Sequence, residues 1–375
     1  MPAVDGVLRP VPGDPGRVGA CLPVCRGPDQ HAANLAVLDD GTLLCAWFAG
    51  SGEGNPDTDV VLSRLEPSAP GWSRPEDLSA DRERSEQNPV VFQAPGGVVW
   101  LLHTSNEPHD QKTARVLARR SGDGGRTWTG PEVLFPGPGL FLRHPPLILG
   151  PSEWVLPAYR CTRLGDYTVM LRTSDGGATW QERPLDGSTG RVQACLLPRS
   201  DGTLLALFRS RAADRLYAAT SPDRGRTWSA PVPTALPNNN ASVQAAALPG
   251  GLFVLAFNDA TLERDQFRWV SRGDAWRKKP LRTPLQLALS EDEGRTWPWR
   301  RNLQTWEPAH RDDPTGYSYP SVAAGGAGVV HVAFSYLRRA IRYERLPVDW
   351  IRGGAVRPSR GGAPAPADLA GGAAP

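Results

Sequence analysis

Lysine is nearly missing from this 375-residue chain. Three lysines (Lys112, Lys278 and Lys279) stand among 42 basic residues, which leaves 39 arginines. That imbalance reads as codon bias rather than phosphate recognition. No Lys/Arg run stands out and the formal net charge is only +3, which argues against nucleic acid or a membrane as the main partner. No apolar run approaches the ~20 residues of a membrane-spanning helix. The first residues, MPAVDGVLRPVPGDPGRVGA, hold no apolar core of signal-peptide length, so a cytoplasmic location is expected. No segment sustains a helical period. Cysteine is scarce and odd in number: Cys21, Cys25, Cys45, Cys161 and Cys195. Cys21 and Cys25 form C-x-x-x-C, not the C-x-x-C of zinc or redox sites, and buried free thiols are the expectation. No His/Cys/carboxylate cluster has ligand spacing, so neither a metal nor another cofactor is implied.

What the chain does have is repetition. The pattern Ser/Thr-x-Asp-x-Gly-x-Thr-Trp occurs four times. It reads Ser121-Gly-Asp123-Gly-Gly125-Arg-Thr127-Trp128, then Thr173-Ser-Asp175-Gly-Gly177-Ala-Thr179-Trp180. It returns as Ser221-Pro-Asp223-Arg-Gly225-Arg-Thr227-Trp228 and Ser290-Glu-Asp292-Glu-Gly294-Arg-Thr296-Trp297. Repeats at this spacing indicate solenoids, propellers or arrays. Asp and Gly at fixed offsets make a tight turn in which the carboxylate bonds nearby backbone N–H groups. Thr-Trp then opens a strand, and the Trp should tuck between neighbouring sheets. A fifth, degenerate copy without the Asp is expected at Ser63 to Trp72.

A second signal counts the units. Apolar strand, Gly turn, apolar strand recurs six times, around Gly41, Gly96, Gly150, Gly202, Gly250 and Gly326. Asp-Gly and Gly-Gly between apolar runs are hairpin signals. One hairpin plus the following box gives one four-stranded blade. The expected architecture is therefore all-β: a six-bladed β-propeller of four-stranded antiparallel blades over residues 21–352. Residues 1–20 are read as an N-terminal extension. Residues 353–375, rich in Gly, Ala and Pro, are read as a disordered tail.

The boxes resemble the Asp-box, or bacterial neuraminidase repeat, of the sialidase superfamily. In that family the box is an outer turn facing away from the active site, so it reports fold rather than chemistry. The resemblance, to the bacterial predicted-neuraminidase branch, covers roughly residues 25–350. It is sharpest in TGYSYPSVAA, VVHVAFSY and IRYERLPVDWI at the end of the fold. It implies hydrolysis of a terminal acidic sugar, sialic acid first, from a carbohydrate substrate. Such an enzyme holds the sugar carboxylate with arginines, protonates the leaving oxygen, and attacks the anomeric carbon with a neutral Tyr hydroxyl rather than a second carboxylate.

Residue by residue, the resemblance makes Tyr319 the nucleophile. Tyr317, two residues away, would share its face if the segment is extended. Arg209 and Arg282 match two of the three carboxylate-binding arginines, a task that suits a planar guanidinium. The loop AGSGEGNPDTDVVLSR should supply the acid, with Asp57 chosen over Glu53 and Asp59. Two positions depart from the pattern. His31 stands where the family has its first arginine, and Gln193 where it has the Glu that takes the Tyr proton. His31 as a base leaves β-elimination on a uronate open. A uronate-directed glycosidase or lyase, or a carbohydrate-binding propeller without catalysis, therefore remain the alternatives. Asn88, Arg143, His144, Tyr159, Arg160 and Asn239 flank the inner strands and are further candidates for substrate binding.

Overall fold

The computed structural model describes residues 2–79, 81–264, 266–272, 275–306 and 316–354. Six antiparallel sheets follow one another along the chain. The first blade holds Asp29–Val37, Leu43–Gly50, Asp59–Leu65 and Glu76–Asp77. The second holds Ser85–Gln93, Val99–Glu107, Asp110–Ser121 and Glu132–Phe135. In the third the inner strand is broken into Leu140–Leu142 and Leu147–Ile148, both paired with Trp154–Arg160, and Tyr167–Thr173 and Gln181–Pro184 lie outside them. The fourth comprises Arg191–Pro198, Leu204–Ser210, Arg215–Ser221 and Val232–Pro237. The fifth comprises Gln244–Leu248, Leu252–Asn258, Leu285–Ser290 and Trp299–Gln304. An extra hairpin, Phe267–Arg272 with Ala275–Pro280, is inserted between its second and third strands. The sixth runs Tyr317–Ala324, Val329–Tyr336 and Ala340–Pro347.

The sixth sheet is completed from the other end of the chain. Asp14–Cys21 pairs with Ala340–Pro347, and Arg9–Val11 adds an edge strand. The expected extension over residues 1–20 is thus largely blade. Closing a ring this way removes two open sheet edges. It also explains the box count. A box needs a covalent turn between third and fourth strands, and the sixth blade has none. The first blade has that turn, and the degenerate Ser63–Trp72 copy lies on it, with the Ser63 hydroxyl donating to the Ser73 carbonyl at 2.7 Å. Of the expected tail, residues 355–375 lie outside the described residues.

The four boxes sit between third and fourth strands of blades two to five. Asp123 shows the construction. One carboxylate oxygen accepts from the Ser121 hydroxyl at 2.7 Å and from the N–H groups of Arg126 and Thr127 at 3.0 and 2.9 Å. The other accepts from the Thr127 hydroxyl at 2.6 Å. These bonds, Thr127's first, hold the Asp123 carboxyl well below the usual range. Asp175, Asp223 and Asp292 repeat the Ser/Thr and Thr contacts. The second box glycine has a further reason. A Cβ on Gly294 (φ 81°) would lie 2.6 Å from Leu205 of the preceding blade, so the turn rests directly on its neighbour.

Among the described residues, six core clusters each span one blade boundary, and a smaller one joins the second, third and fourth blades. Trp128, Trp180, Trp228 and Trp297 each pack on one of them. All five cysteines are free; Cys25 is exposed, contrary to expectation, and the other four are buried.

Candidate active site

The centre of the ring is shaped by bulges. Four first strands enter it through a non-glycine residue in the left-handed region: Ala32 (φ 60°), Asn88 (φ 48°), Gln193 (φ 52°) and Tyr319 (φ 52°). Pairing shifts register at each of them. Such a conformation costs about 1–3 kcal/mol, and a bulge re-aims one side chain while leaving backbone groups out of the ladder.

Tyr319 is one of the re-aimed side chains. It lies with Ala32, Phe48 and Ala241 in a small central cluster. Its hydroxyl accepts from Arg209 Nη1 at 2.6 Å. The same nitrogen donates to Gln193 Oε1 at 2.9 Å, and Arg209 Nε donates to Asn240 Oδ1 at 2.8 Å. Gln193 Nε2 reaches the Tyr159 hydroxyl at 3.5 Å. Arg282 places its guanidinium carbon 5.4 Å from the Tyr319 ring centre and donates to the Ser318 hydroxyl at 3.1 Å. Neither Arg209 nor Arg282 has a carboxylate partner among the described residues. Burial, with Arg338 and Arg209 close by, pushes Arg282 down to about 10. Burial pushes the Tyr319 phenol up, but Arg209 leads a set of cations that brings it net below its ordinary value.

Two residues complete this centre: Arg338, which the sequence did not single out, and Glu53, a candidate acid set behind Asp57. Arg338 occupies the turn between the second and third strands of the sixth blade. It donates to both Asp29 carboxylate oxygens at 2.7 and 2.6 Å and to Glu53 at 3.0 Å. Glu53 stands in the mouth of the site with 40% of its side-chain surface open. Burial pushes its carboxyl up, but Arg338, then Arg282 and Arg209, hold it net below the usual range. Asp57, the expected acid, is instead exposed and folded back on its own loop, accepting from the Ser51 hydroxyl at 2.7 Å and the Ser51 N–H at 3.0 Å. This is a local cap, and it takes Asp57 out of the centre.

His31 does reach the centre, but in a buried seat. Its ring centroid lies 4.2 Å from that of Tyr319, and Nδ1 is 2.8 Å from the Ser335 hydroxyl. Burial, then Arg338, Arg282, Arg143 and Arg209, pushes its imidazole well below the ordinary value. His31 is therefore neutral and a weak base, and it does not supply the missing cation.

Several expected binding residues turn out to be framework. Arg143 is fully buried; it donates to the Ser242 hydroxyl and to the carbonyls of Ala32, Ala33, Tyr319 and Pro320. His144 is buried against the Gln193 backbone and Gln244, and burial holds it neutral. Asn239 donates to the Leu281 carbonyl at 2.6 Å, which fixes the segment leading into Arg282. Tyr317 does not share the face of Tyr319: the bulge between them reverses the alternation, and Tyr317 packs on Trp306, Phe334 and Tyr336 between blades five and six. Arg160 runs along the third sheet to Glu182 at 2.8 Å, away from the centre. Tyr159 is linked to the centre by the Gln193 amide, 3.5 Å from its hydroxyl. Asn88 holds the bulge position equivalent to Gln193 and Tyr319.

Solved structures resemble this chain in fold. Among solved structures, a Hadza microbial sialidase superposes with a TM-score of 0.73 at 16% identity, covering 87% of this chain and 67% of its own. A protein from Dyadobacter fermentans gives 0.67 at 17% identity over 89% and 99%. The NanB sialidase of Streptococcus pneumoniae gives 0.67 at 14% identity over 86% and 69%. At these identities the likeness is one of fold. No curated protein matches the sequence. The model of the BNR repeat-like domain family matches residues 41–332, which hold all four boxes, and the chain belongs to that family, on the propeller fold that sialidases share.

Proposed function

We propose that this protein is an exo-acting glycoside hydrolase of the sialidase kind, removing a terminal acidic sugar, sialic acid first, from glycoconjugates. One observation carries the reading: two guanidiniums, the buried Arg209 and the half-buried Arg282, converge on one tyrosine and lack a carboxylate partner among the described residues. A buried cation without a counter-ion is costly, and a substrate carboxylate would complete it bidentately. The names of the solved sialidases support the same substrate class.

In this reading Tyr319 is the nucleophile. Gln193 cannot take its proton, so the cations around the phenol favour the phenolate instead, and the proton leaves to solvent. The Tyr319 oxygen bonds to the anomeric carbon as the bond to the leaving oxygen breaks. Glu53, rather than Asp57, gives that oxygen its proton. A substrate carboxylate on Arg282 and Arg209 places negative charge near Glu53 and raises its affinity for the proton it must donate. Water then attacks the anomeric carbon of this tyrosyl glycoside, Glu53 takes the water's proton, the bond to the Tyr319 oxygen breaks with the phenolate as leaving group, and the free sugar departs. His31, neutral and weakly basic in its buried seat, is a poor base for elimination.

Sugar release from a panel of sialosides and uronosides tests the proposal. Tyr319→Phe should abolish turnover and leave binding intact. Hydrolysis insensitive to that change refutes the nucleophile. An ultraviolet-absorbing unsaturated product that depends on His31 replaces hydrolysis with elimination.

A further inference from the structure

The outer rim between the fourth and fifth blades carries an apolar groove of about 340 Å³. Leu207, Ala218, Ala235 and Leu236 line it from the fourth blade, and Trp297 and Pro298 from the fifth. Val232 is 59% exposed and pairs with Ala218, so it continues the same face outward. Pro298 marks the opening. In the second and fourth blades the residue after the box Trp ties the turn back to its own sheet. The N–H of Thr129 donates to the Arg120 carbonyl and that of Ser229 to the Thr220 carbonyl, each at 2.9 Å. Pro298 holds that place in the fifth blade and has no N–H to give. An exposed apolar strip rimmed by charge marks a contact surface.

The point where the described chain stops indicates what covers it. The helix Val348–Arg352 packs on the outer strand Trp299–Gln304, and the described residues stop at Gly354. Gly354 sits so close to that strand that a Cβ on it would lie 2.5 Å from the Arg300 carbonyl oxygen. Arg300 itself lines the groove, so the chain leaves the fold beside it. Residues 355–375 follow and read AVRPSRGGAPAPADLAGGAAP. The stretch from 355 to 363 spans up to about 30 Å when extended, enough to carry residue 363 and those after it into the groove.

Residues 363–370, Ala-Pro-Ala-Pro-Ala-Asp-Leu-Ala, complement its walls. Alternating prolines restrict themselves and the residues before them to extended backbone, so docking costs little entropy. Leu369 supplies a bulky apolar side chain. Asp368 is the only acidic residue of 355–375, and the groove's charges are both cations, Arg295 and Arg300. Arg300 donates through Nε to the Trp297 carbonyl at 3.2 Å and has no ion pair with a carboxylate among the described residues.

We propose that residues 363–370 dock in this groove as a strap within the chain, with Leu369 against Leu207, Leu236 and Trp297, and Asp368 on Arg300. The strap ties the outer strand of the fifth blade to the fourth blade.

Disulfide trapping in the full chain tests it. Cys25, which is exposed, is first changed to Ser. Ala235→Cys then puts a thiol in the groove at an exposed position, and Ala370→Cys puts one beside Leu369. Oxidation with glutathione disulfide should join the two within one chain, as read by mass spectrometry. A tether of this length supplies about millimolar effective concentration, so a strap of about millimolar affinity is about half docked. Adding Asp368→Arg and Leu369→Ser leaves the blades unaltered in sequence. It should weaken the strap about tenfold and leave about a tenth of it docked, so the disulfide should form about fivefold more slowly. An equal rate with and without the two changes overturns the proposal, because a tail that never docks is blind to both. Failure of the disulfide to form overturns it too. Disulfides between separate chains also overturn it and give the groove to a second copy.

Discussion

Replacing Arg143 with methionine should destabilise the whole ring. The two side chains have similar stems, so the substitution removes the guanidinium and little volume. Arg143 donates to the Ser242 hydroxyl at 3.0 Å and to four carbonyls, those of Ala32 at 3.3 Å, Ala33 at 3.0 Å, Tyr319 at 3.0 Å and Pro320 at 3.2 Å. Ala32 and Ala33 lie in the bulge of the first blade, Tyr319 and Pro320 in that of the sixth. Bulges take carbonyls out of the ladder, and a buried carbonyl needs a partner. One arginine from the third blade therefore satisfies what two bulges leave unmade, with a bond to the fifth blade as well.

The magnitude follows from two opposing terms. Four buried carbonyls without partners cost about 1–3 kcal/mol each. Against this, burial pushes Arg143 from 12.5 down to about 10, so the native state already carries a desolvation penalty of about 3 kcal/mol, which the variant no longer has. Water entering the vacated site serves one or two of the carbonyls. The net loss expected is about 3–5 kcal/mol, in line with breaking other buried charged networks. At roughly 2 °C per kcal/mol for a chain of this size, the melting temperature falls about 6–10 °C. Thermal unfolding followed by circular dichroism measures it. Arg143→Lys should recover only part, because one ammonium has three donors at a single point. An Arg143→Met protein melting within about 2 °C of the wild type refutes the hub argument.

Glu53→Gln should lower turnover about 10²–10⁴-fold, while Asp57→Asn should act mainly on its own loop; a larger loss of activity from Asp57→Asn returns the acid to that position. His331 predicts a pH dependence of stability: burial, then Arg345, push its imidazole from 6.5 to about 4, so the unfolded chain takes up the proton first as pH falls. That stability is present above about pH 6.5 and is lost toward pH 4, at up to about 1.4 kcal/mol per unit; urea unfolding at pH 7 and pH 5 should show a shallower slope for His331→Phe, and an identical slope counts against it. Gly294→Ala should destabilise more than Gly202→Ala, because both have φ above 80° but only Gly294 faces a neighbour, Leu205 at 2.6 Å, whereas nothing lies within 4 Å of Gly202. Equal melting temperatures for the two variants would show that the box does not rest on the next blade.

The blades were legible because each repeats one local chemistry. The box is held by contacts within a few residues of Asp123, so its sequence carries its structure. Ring closure was not legible: Arg-Pro-Val and DPGRVGAC have no clean alternation, and the strand that DPGRVGAC joins lies more than 300 residues away. The centre was half legible for a related reason. Alternation along an extended strand places Tyr317 and Tyr319 on one face, and it would be right without the left-handed residue at Tyr319. That residue is tolerated only because distant groups, Arg143 on its carbonyl and Arg209 on its hydroxyl, hold it there. Arg338 was hidden differently. In YLRRAIRY it reads as a hairpin-turn cation, and only its pairing with Asp29 and Glu53 of the adjoining blade turns it inward. Asp57 could have been read correctly, since a Ser six residues upstream in a Gly-rich loop is a local acceptor's partner. What the sequence hides, then, is the set of residues whose conformation is fixed from another blade. Tyr319, Arg209 and Arg338 are all of that kind. The site thus depends on the closed ring, and a change that loosens Arg143 should disturb Tyr319 before it unfolds a single blade.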